Sequence, residues 1–424
     1  MKVIVVGGGW SGCAASLEAR KKGAEVILIE RTDMLLGTGL VGGIMRNNGR
    51  YTAAEEMKAM SGGELFDLTD QNSLHRGIDF PGHRHASLYN VARMEPIVRK
   101  LLLEKGVRIE SSTRITDVEM QGDRIRAVMG KQSKEDVRLE GDVFVDTTGT
   151  AGPPANCSKY GNGCAMCILR CHSFGGRVSV TAKAGVKEMV GERDGRIGAM
   201  SGSCKLLKES LAPEIVDTLN SKGVAVIPIP KSRILRGKLA MKCCQQYALP
   251  EFEENIVLLD TGHAKLMTPF FPLDALREIP GFEYARYEDP YAGGMGNSIR
   301  YVGMAPRDDA LKVEEIANLF CAGEKAGLLV GHTEAICTGT LAGYNAVRYL
   351  RKEKPMVLPT GLAAGEAMRF VRTQMRDDGI LSLKYTFSGS VFFERMKALG
   401  LYSTDTEEIE KRVDAAGMLG VYAE

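Results

Sequence analysis

Gly7-Gly8-Gly9-Trp10-Ser11-Gly12 has the spacing a chain needs to hold a diphosphate. Gly7 permits a tight turn, Gly9 lets backbone approach the pyrophosphate, and Gly12 allows a helix to pack closely on the preceding strand. The helix that follows offers unpaired N–H groups and a partial positive charge to an anion. Glu30 comes 18 residues after Gly12 and can accept from ribose hydroxyls, so Ser11 and Arg31 are grouped with these binding positions. A merely structural glycine turn is the bland alternative. A second constellation is Cys157, Cys164, Cys167 and Cys171, a C-x6-C-x2-C-x3-C run within 15 residues. Four thiolates so spaced could hold an iron–sulfur cluster. Positions 164, 167 and 171 also fall at i, i+3 and i+7, which on a helix makes one stripe of core or redox-active thiols. Zinc comes third, because only one Cys-x2-Cys knuckle exists and His172 directly follows Cys171. Cys243-Cys244 reads as packing or a redox pair, and Cys13, Cys321 and Cys337 read as core.

Arg76, His83, Arg84 and His85 cluster in a stretch without clear periodicity. A general acid or an anion clamp would fit there, because imidazole titrates near neutrality and guanidinium grips carboxylates; a solvated basic loop is the blander reading. His332 precedes a long helical pattern and either touches a bound cofactor or caps the turn. His83, His85 and His332 are the candidate catalytic residues.

The elements that must position these groups follow from periodicity. Residues 2–30 read strand, glycine turn, helix, strand. Residues 37–85 read as loops over a ligand, with one short helical piece near 53–60. A helix over 91–105 precedes short strands at 107–111, 115–120, 124–129 and 136–139, and then the apolar run Val143-Phe144-Val145 leads into Asp146-Thr147-Thr148-Gly149. Leu319-Phe320-Cys321-Ala322 reads as a second buried strand, followed by Gly323-Glu324 and a helix over 333–350. Three helical patterns follow Pro355, the last opening on a Thr404-Asp405-Thr406-Glu407 capping box. The expected fold is α/β: a Rossmann-like cofactor domain (1–152 and 301–355) with an inserted α+β substrate or cap domain (153–300) and a helical C-terminal tail (356–424).

Composition narrows the partners. Lys+Arg 55 against Asp+Glu 53 gives +2, so no global field draws the chain onto nucleic acid, and composition argues against that partner while leaving a local basic patch open. Position 1 runs straight into a strand and no stretch approaches 18 uninterrupted apolar residues, so a soluble, cytoplasmic protein without a membrane span is expected. Ten cysteines in such a chain point to reduced thiols, a metal site or a reactive Cys rather than structural disulfides. Homo-oligomerisation stays open.

Two segments carry a family resemblance. The strand ending in Thr147-Thr148-Gly149 resembles the Ala-Thr-Gly segment that flavoproteins of the glutathione-reductase superfamily place beside FAD. Phe320-Cys321-Ala322-Gly323-Glu324 resembles their last strand, where an acid after Gly binds the ribityl chain, with Glu324 standing where Asp is more usual. The resemblance implies FAD held also by Gly39, Thr148, Gly149, Gly323, Glu324 and Thr333. The helix near Thr333 would then aim its positive end at the flavin pyrimidine ring, stabilising the anionic reduced form by about 1 kcal/mol. Residues Gly331-His332-Thr333-Glu334-Ala335, Gly339-Thr340-Leu341-Ala342-Gly343-Tyr344-Asn345-Ala346 and Val357-Leu358-Pro359 are similar to GidA-like flavoproteins, a group that includes flavin-dependent enzymes modifying uridine in tRNA, one branch with folate as carbon donor. The segment with Gly37-Thr38-Gly39-Leu40-Val41-Gly42-Gly43 is similar instead to a broad family of FAD-dependent oxidoreductases. The middle of the chain matches neither.

The expected function is an FAD-dependent oxidoreductase acting on a small-molecule substrate, with an iron–sulfur cluster if the four cysteines hold one. No second G-x-G-x-x-G follows a strand, so electrons would come from a partner protein or from directly stacked NAD(P)H. The alternatives are a flavin-dependent, folate-linked enzyme of tRNA or RNA uridine modification, and a flavin-stabilised sensor without turnover.

Overall fold

A computed structural model describes residues 1–150, 178–193, 196–197, 204–241, 245–269, 271–288, 302–376 and 383–423. The centre is a parallel five-stranded sheet. Its strands, in chain order, are β1 (Lys2–Val6), β2 (Glu25–Ile29), β3 (Arg108–Glu110), β4 (Val143–Asp146) and β5 (Leu319–Cys321), laid side by side as β5-β4-β1-β2-β3. Val3 to Val6, Val26 to Ile29 and Val143 to Val145 are unbroken apolar runs buried on both faces, as expected where helices cover both sides of a parallel sheet. Strand order reverses between β1 and β4, and the crevice beyond the carboxyl ends of such strands is where this architecture binds ligands.

β5 comes from the far end of the chain, pairing Phe144 with Leu319 and Asp146 with Cys321. The helix after it, His332–Leu350, lies parallel and very close to the first helix, Trp10–Lys21. A Cβ on Gly339 would fall 2.2 Å from the Ser11 carbonyl oxygen, and one on Gly343 2.2 Å from that of Ala15. Two glycines four apart therefore let two backbones touch. An antiparallel sheet, Thr113–Gln121, Arg124–Gln132 and Glu135–Glu140, is inserted between β3 and β4.

The inserted α+β unit is a four-stranded antiparallel sheet of Cys204–Leu206, Ala264–Leu266, Asn255–Asp260 and Val224–Pro228 with the helix Pro213–Lys222. Its own core includes Leu206, Leu219, Leu258, Leu266 and Phe282. The C-terminal part contains helices Ala363–Arg376, Ser390–Ala398 and Thr406–Ala415. The last is capped one residue later than the sequence suggested: the Asp405 carboxylate accepts from the amides of Glu407 and Glu408, and the Ser403 hydroxyl donates to Glu408.

Residues 37–85 are more regular than their composition indicates. Helices Gly49–Ala59 and Glu64–Gln71 precede a hairpin, Ser73–Phe80 with His83–Tyr89, that turns through Gly82. Arg50, Thr52 and Glu56 are buried on the first helix, which hides its apolar stripe, and three register shifts break the alternation of the hairpin. Among the described residues, no helix is long and apolar enough to cross a membrane.

Candidate cofactor crevice

The glycine turn sits at the carboxyl end of β1. Gly7 takes φ +107°, its amide donates to the Ile29 carbonyl at 2.8 Å, and a Cβ there would lie 2.5 Å from the Thr147 carbonyl oxygen. A Cβ on Gly12 would lie 1.9 Å from the Gly7 carbonyl oxygen, so this glycine is required by packing alone. Gly9 differs. Its Cβ would approach nothing nearer among the described residues than the Leu36 carbonyl oxygen at 4.0 Å, and Gly149, at φ +71°, has no described neighbour within 4 Å of that position. Contacts among the described residues account for Gly7 and Gly12 but not for Gly9.

The first helix begins directly at this turn. Its N-cap, Gly9, makes no side-chain capping bond and its first turn holds no acidic residue, so the acid nearest its amide-rich end is Glu30. Several other helices, among them those starting at Glu64, Pro213 and His332, also lack a side-chain cap, whereas Asn90, Ser179 and Asp405 supply one. Glu30, buried at the end of β2, accepts from the Gly8 amide at 2.8 Å and from the Thr32 amide at 2.9 Å, which fixes its carboxylate beside the turn. Arg31 is half-buried next to it, where burial lowers the pKa of its guanidinium.

The third wall comes from β4 and β5. Thr147 donates its hydroxyl to the carbonyls of Val6 at 2.9 Å and Gly7 at 2.6 Å, tying the end of β4 to the turn. Thr148 donates to Asp146, and Thr150 donates to Glu324 at 2.8 Å. A Cβ on Gly323, at φ +67°, would lie 2.6 Å from Ser11 Oγ. Gly7, Gly9, Ser11, Gly12, Glu30, Thr148, Gly149, Gly323 and Glu324 are thus gathered around one crevice. Gly39 lies against Trp10, its would-be Cβ 2.5 Å from the indole nitrogen. Thr333 is fully buried, its hydroxyl 4.0 Å from Met45 Sδ.

Asp146 is a component the sequence reading missed. Burial opposes its ionisation, yet Lys325 and the hydroxyls of Thr148 and Thr181 hold its carboxyl below the ordinary range. Lys325 is itself fully buried, donating to Ser179 Oγ at 2.7 Å and the Gly303 carbonyl at 2.6 Å. Lys325 also donates to the Glu188 carboxylate and lies 3.9 Å from that of Asp146, so one buried ammonium links the end of β4 to the segment after β5. An acid ending an apolar strand was the available signal.

The candidate histidines part company. His332 is the first residue of its helix, half-buried, with Nδ1 3.2 Å from the Tyr89 hydroxyl. His83 is buried elsewhere: Nε2 donates to the Gln246 carbonyl at 2.9 Å while Nδ1 faces Asn47 Nδ2 at 2.9 Å, so both nitrogens are spent on structure. Asn47 Oδ1 in turn accepts from Arg50. His85 sits on the hairpin at φ +61°, half-buried with its ring 5.8 Å from that of Tyr51. The structure does not bring His83 and His85 to the glycine turn. Cys157, Cys164, Cys167, Cys171, Cys243 and Cys244 lie outside the described residues. Among the described residues, no group of His, Cys, Asp and Glu has metal-binding geometry.

A β3-β2-β1-β4-β5 parallel sheet with a glycine-led helix at its reversal point and an acid just after β2 defines a dinucleotide-binding fold of the Rossmann type. The profile of the FAD dependent oxidoreductase family matches residues 2–152, and that of Glucose inhibited division protein A matches residues 262–354. The chain is thus similar to FAD-dependent oxidoreductases in its N-terminal third and to GidA in a separate later segment. One relative, the tRNA uridine 5-carboxymethylaminomethyl modification enzyme MnmG of Syntrophotalea carbinolica, is 23% identical over 84% of this chain, which spans 64% of that protein's length. Another, the methylenetetrahydrofolate–tRNA-(uracil-5-)-methyltransferase TrmFO of Thermosipho melanesiensis, is 32% identical over 23% of this chain and 22% of its own. The structure of Aquifex aeolicus GidA superimposes with a TM-score of 0.60 at 17% identity, covering 98% of this chain and 76% of that one.

A net charge of +2 argues against nucleic acid only as a global field, and relatives named for acting on tRNA lend that expectation no support.

Proposed function

We propose that this protein is a flavin-dependent enzyme of tRNA uridine modification, with FAD lying across the crevice at the mouth of the first helix. The observation that carries this reading is the similarity to a tRNA uridine-modifying enzyme over 84% of the chain, including the middle that no motif covers. The open space at Gly9 and Gly149 and the uncapped helix fit the group. On this reading, amides of the first helix turn bind the diphosphate, Glu30 orients the adenosine ribose, and Glu324 with Gly323 and Thr148 faces the ribityl chain. Bound FAD would supply hydride or electron transfer. The protein's own contribution is orientation, exclusion of water and a fixed pattern of charge.

A second reading, an FAD-dependent oxidoreductase of a small substrate, draws on the N-terminal third, which matches the broad oxidoreductase profile. No observation supports an iron–sulfur cluster, and it forms no part of either reading. The deciding experiment incubates FAD-loaded protein with unmodified tRNA, a reductant and methylenetetrahydrofolate or a comparable one-carbon donor, then digests the tRNA and weighs its nucleosides. A new uridine mass is expected. Unchanged nucleosides, together with no salt-dependent retention of tRNA, would leave the small-substrate reading in place.

A further inference from the structure

We propose that His332 is the proton-holding group at the mouth of the crevice and that Tyr89 is its positioning residue. Trp10 and His332 are the first residues of the two parallel helices. One buried hydroxyl meets both: the Trp10 indole donates to Tyr89 Oη at 3.3 Å, and His332 Nδ1 lies 3.2 Å from the same oxygen. The Gly39 carbonyl lies 3.2 Å away as a further acceptor for the Tyr89 proton. Tyr89 is fully buried, and burial raises its phenol pKa well above the ordinary value, so it stays a hydroxyl.

That arrangement serves both charge states of the imidazole. When Nδ1 carries no proton, Tyr89 donates to it. When Nδ1 is protonated, it donates to Tyr89 Oη and the hydroxyl proton turns to the Gly39 carbonyl. Neither state strands a buried polar group, which would cost about 1–3 kcal/mol. Room for the ring is provided by Gly42, where a Cβ would fall 1.7 Å from His332 Cε1. Glu334, in the same helical turn, is matched by Arg50, and the Lys265 ammonium donates to the carbonyl of Val41, next to Gly42, at 2.6 Å. A protonated His332 therefore adds positive charge beside a helix N-terminus, where an anionic ring form gains most.

This inference rests on FAD occupying the crevice. The test is the midpoint potential of the FAD-loaded protein against pH, for the unsubstituted chain, H332N, H332Q and Y89F, with thermal melts to verify folding. The unsubstituted protein should show a change of slope in the range where imidazole titrates. In H332N and H332Q that break should vanish, and on the acid side the preference for reduced over oxidised flavin should fall about tenfold, about 30 mV for a two-electron couple. In Y89F the break should move to lower pH, because the protonated ring loses its acceptor. A break that survives in both His332 variants overturns the proposal, and one that stays in place in Y89F overturns the positioning role. If Y89F fails to hold flavin, the His332 variants decide alone. An unsubstituted protein that stays colourless with added FAD fails the proposed function instead, and is read from a different observable.

Discussion

The guanidinium of Arg50 meets the carboxylate of Glu334 at 3.1 Å across 284 positions of sequence, and both side chains are buried. Glu334 also accepts from the Thr386 hydroxyl at 2.6 Å and the Phe387 amide at 2.9 Å. The acid in the first turn of the His332 helix is thus spent on joining helix Gly49–Ala59 to the C-terminal segment.

Removing one partner leaves the other charge buried without a counterion. Arg50→Met should lower stability by about 3–5 kcal/mol. Arg50→Met combined with Glu334→Leu should cost less than the sum of the two single changes. Urea unfolding of the four proteins measures the difference.

The glycines of the turn separate binding from packing. Gly12→Ala drives a Cβ into the Gly7 carbonyl and should cost about 1–3 kcal/mol or more whether or not FAD is present. At Gly9 an added Cβ meets no described atom nearer than 4.0 Å, so the apo form of Gly9→Val should stay within about 1 kcal/mol of the stability of the unsubstituted chain. Its visible flavin absorbance should nevertheless be lost. Retained colour in Gly9→Val would displace the diphosphate from this turn.

Stability should fall with rising pH through one buried acid. Burial pushes the Glu56 carboxyl up to about 7, against the amides of Ala363 and Ala364 and the guanidinium of Arg412. The folded state therefore holds this proton more tightly than the unfolded chain. Its contribution is fully present below the unfolded carboxylate pKa of about 4.3 and is lost as pH rises through the folded value, about 3 kcal/mol over that window. Glu56→Gln should flatten the decline in melting temperature between roughly pH 4 and 7. An unchanged slope would place the proton elsewhere.

The described cysteines should be inert. Cys13, Cys204, Cys321 and Cys337 are buried, and burial pushes the thiols of Cys13 and Cys321 up to about 12. Iodoacetamide applied to the native protein near neutral pH should leave all four unmodified, as peptide mass mapping would show. They would react only after unfolding.

The glycine turn was legible because its residues are adjacent in sequence and their geometry is local. Gly7 to Gly12, the acid at the end of β2 and the return strand Leu319–Cys321 follow from spacing and apolar runs alone. Helix Gly49–Ala59 was hidden because Arg50 and Glu56 are buried by distant partners, Glu334 and Ala363, which no periodicity reveals. Tyr89 escaped notice for a similar reason. A tyrosine just after a basic stretch without clear periodicity carries no signal until Trp10 and His332 converge on its hydroxyl. His83 was readable as a histidine near other basic residues, but its two neutral bonds to Asn47 and Gln246 appear only in three dimensions.

The contact of Gly339 and Gly343 with the first helix also sets an order of events during synthesis. The first helix packs on β1 and β2 as soon as those strands pair, but its face along Ser11 and Ala15 stays uncovered until residue 343 has been made. Any ligand that needs this helix fixed in place would therefore be held firmly only once that later helix has docked. A chain released before that point would leave the tunnel with the motif written in it and no lasting grip on its ligand.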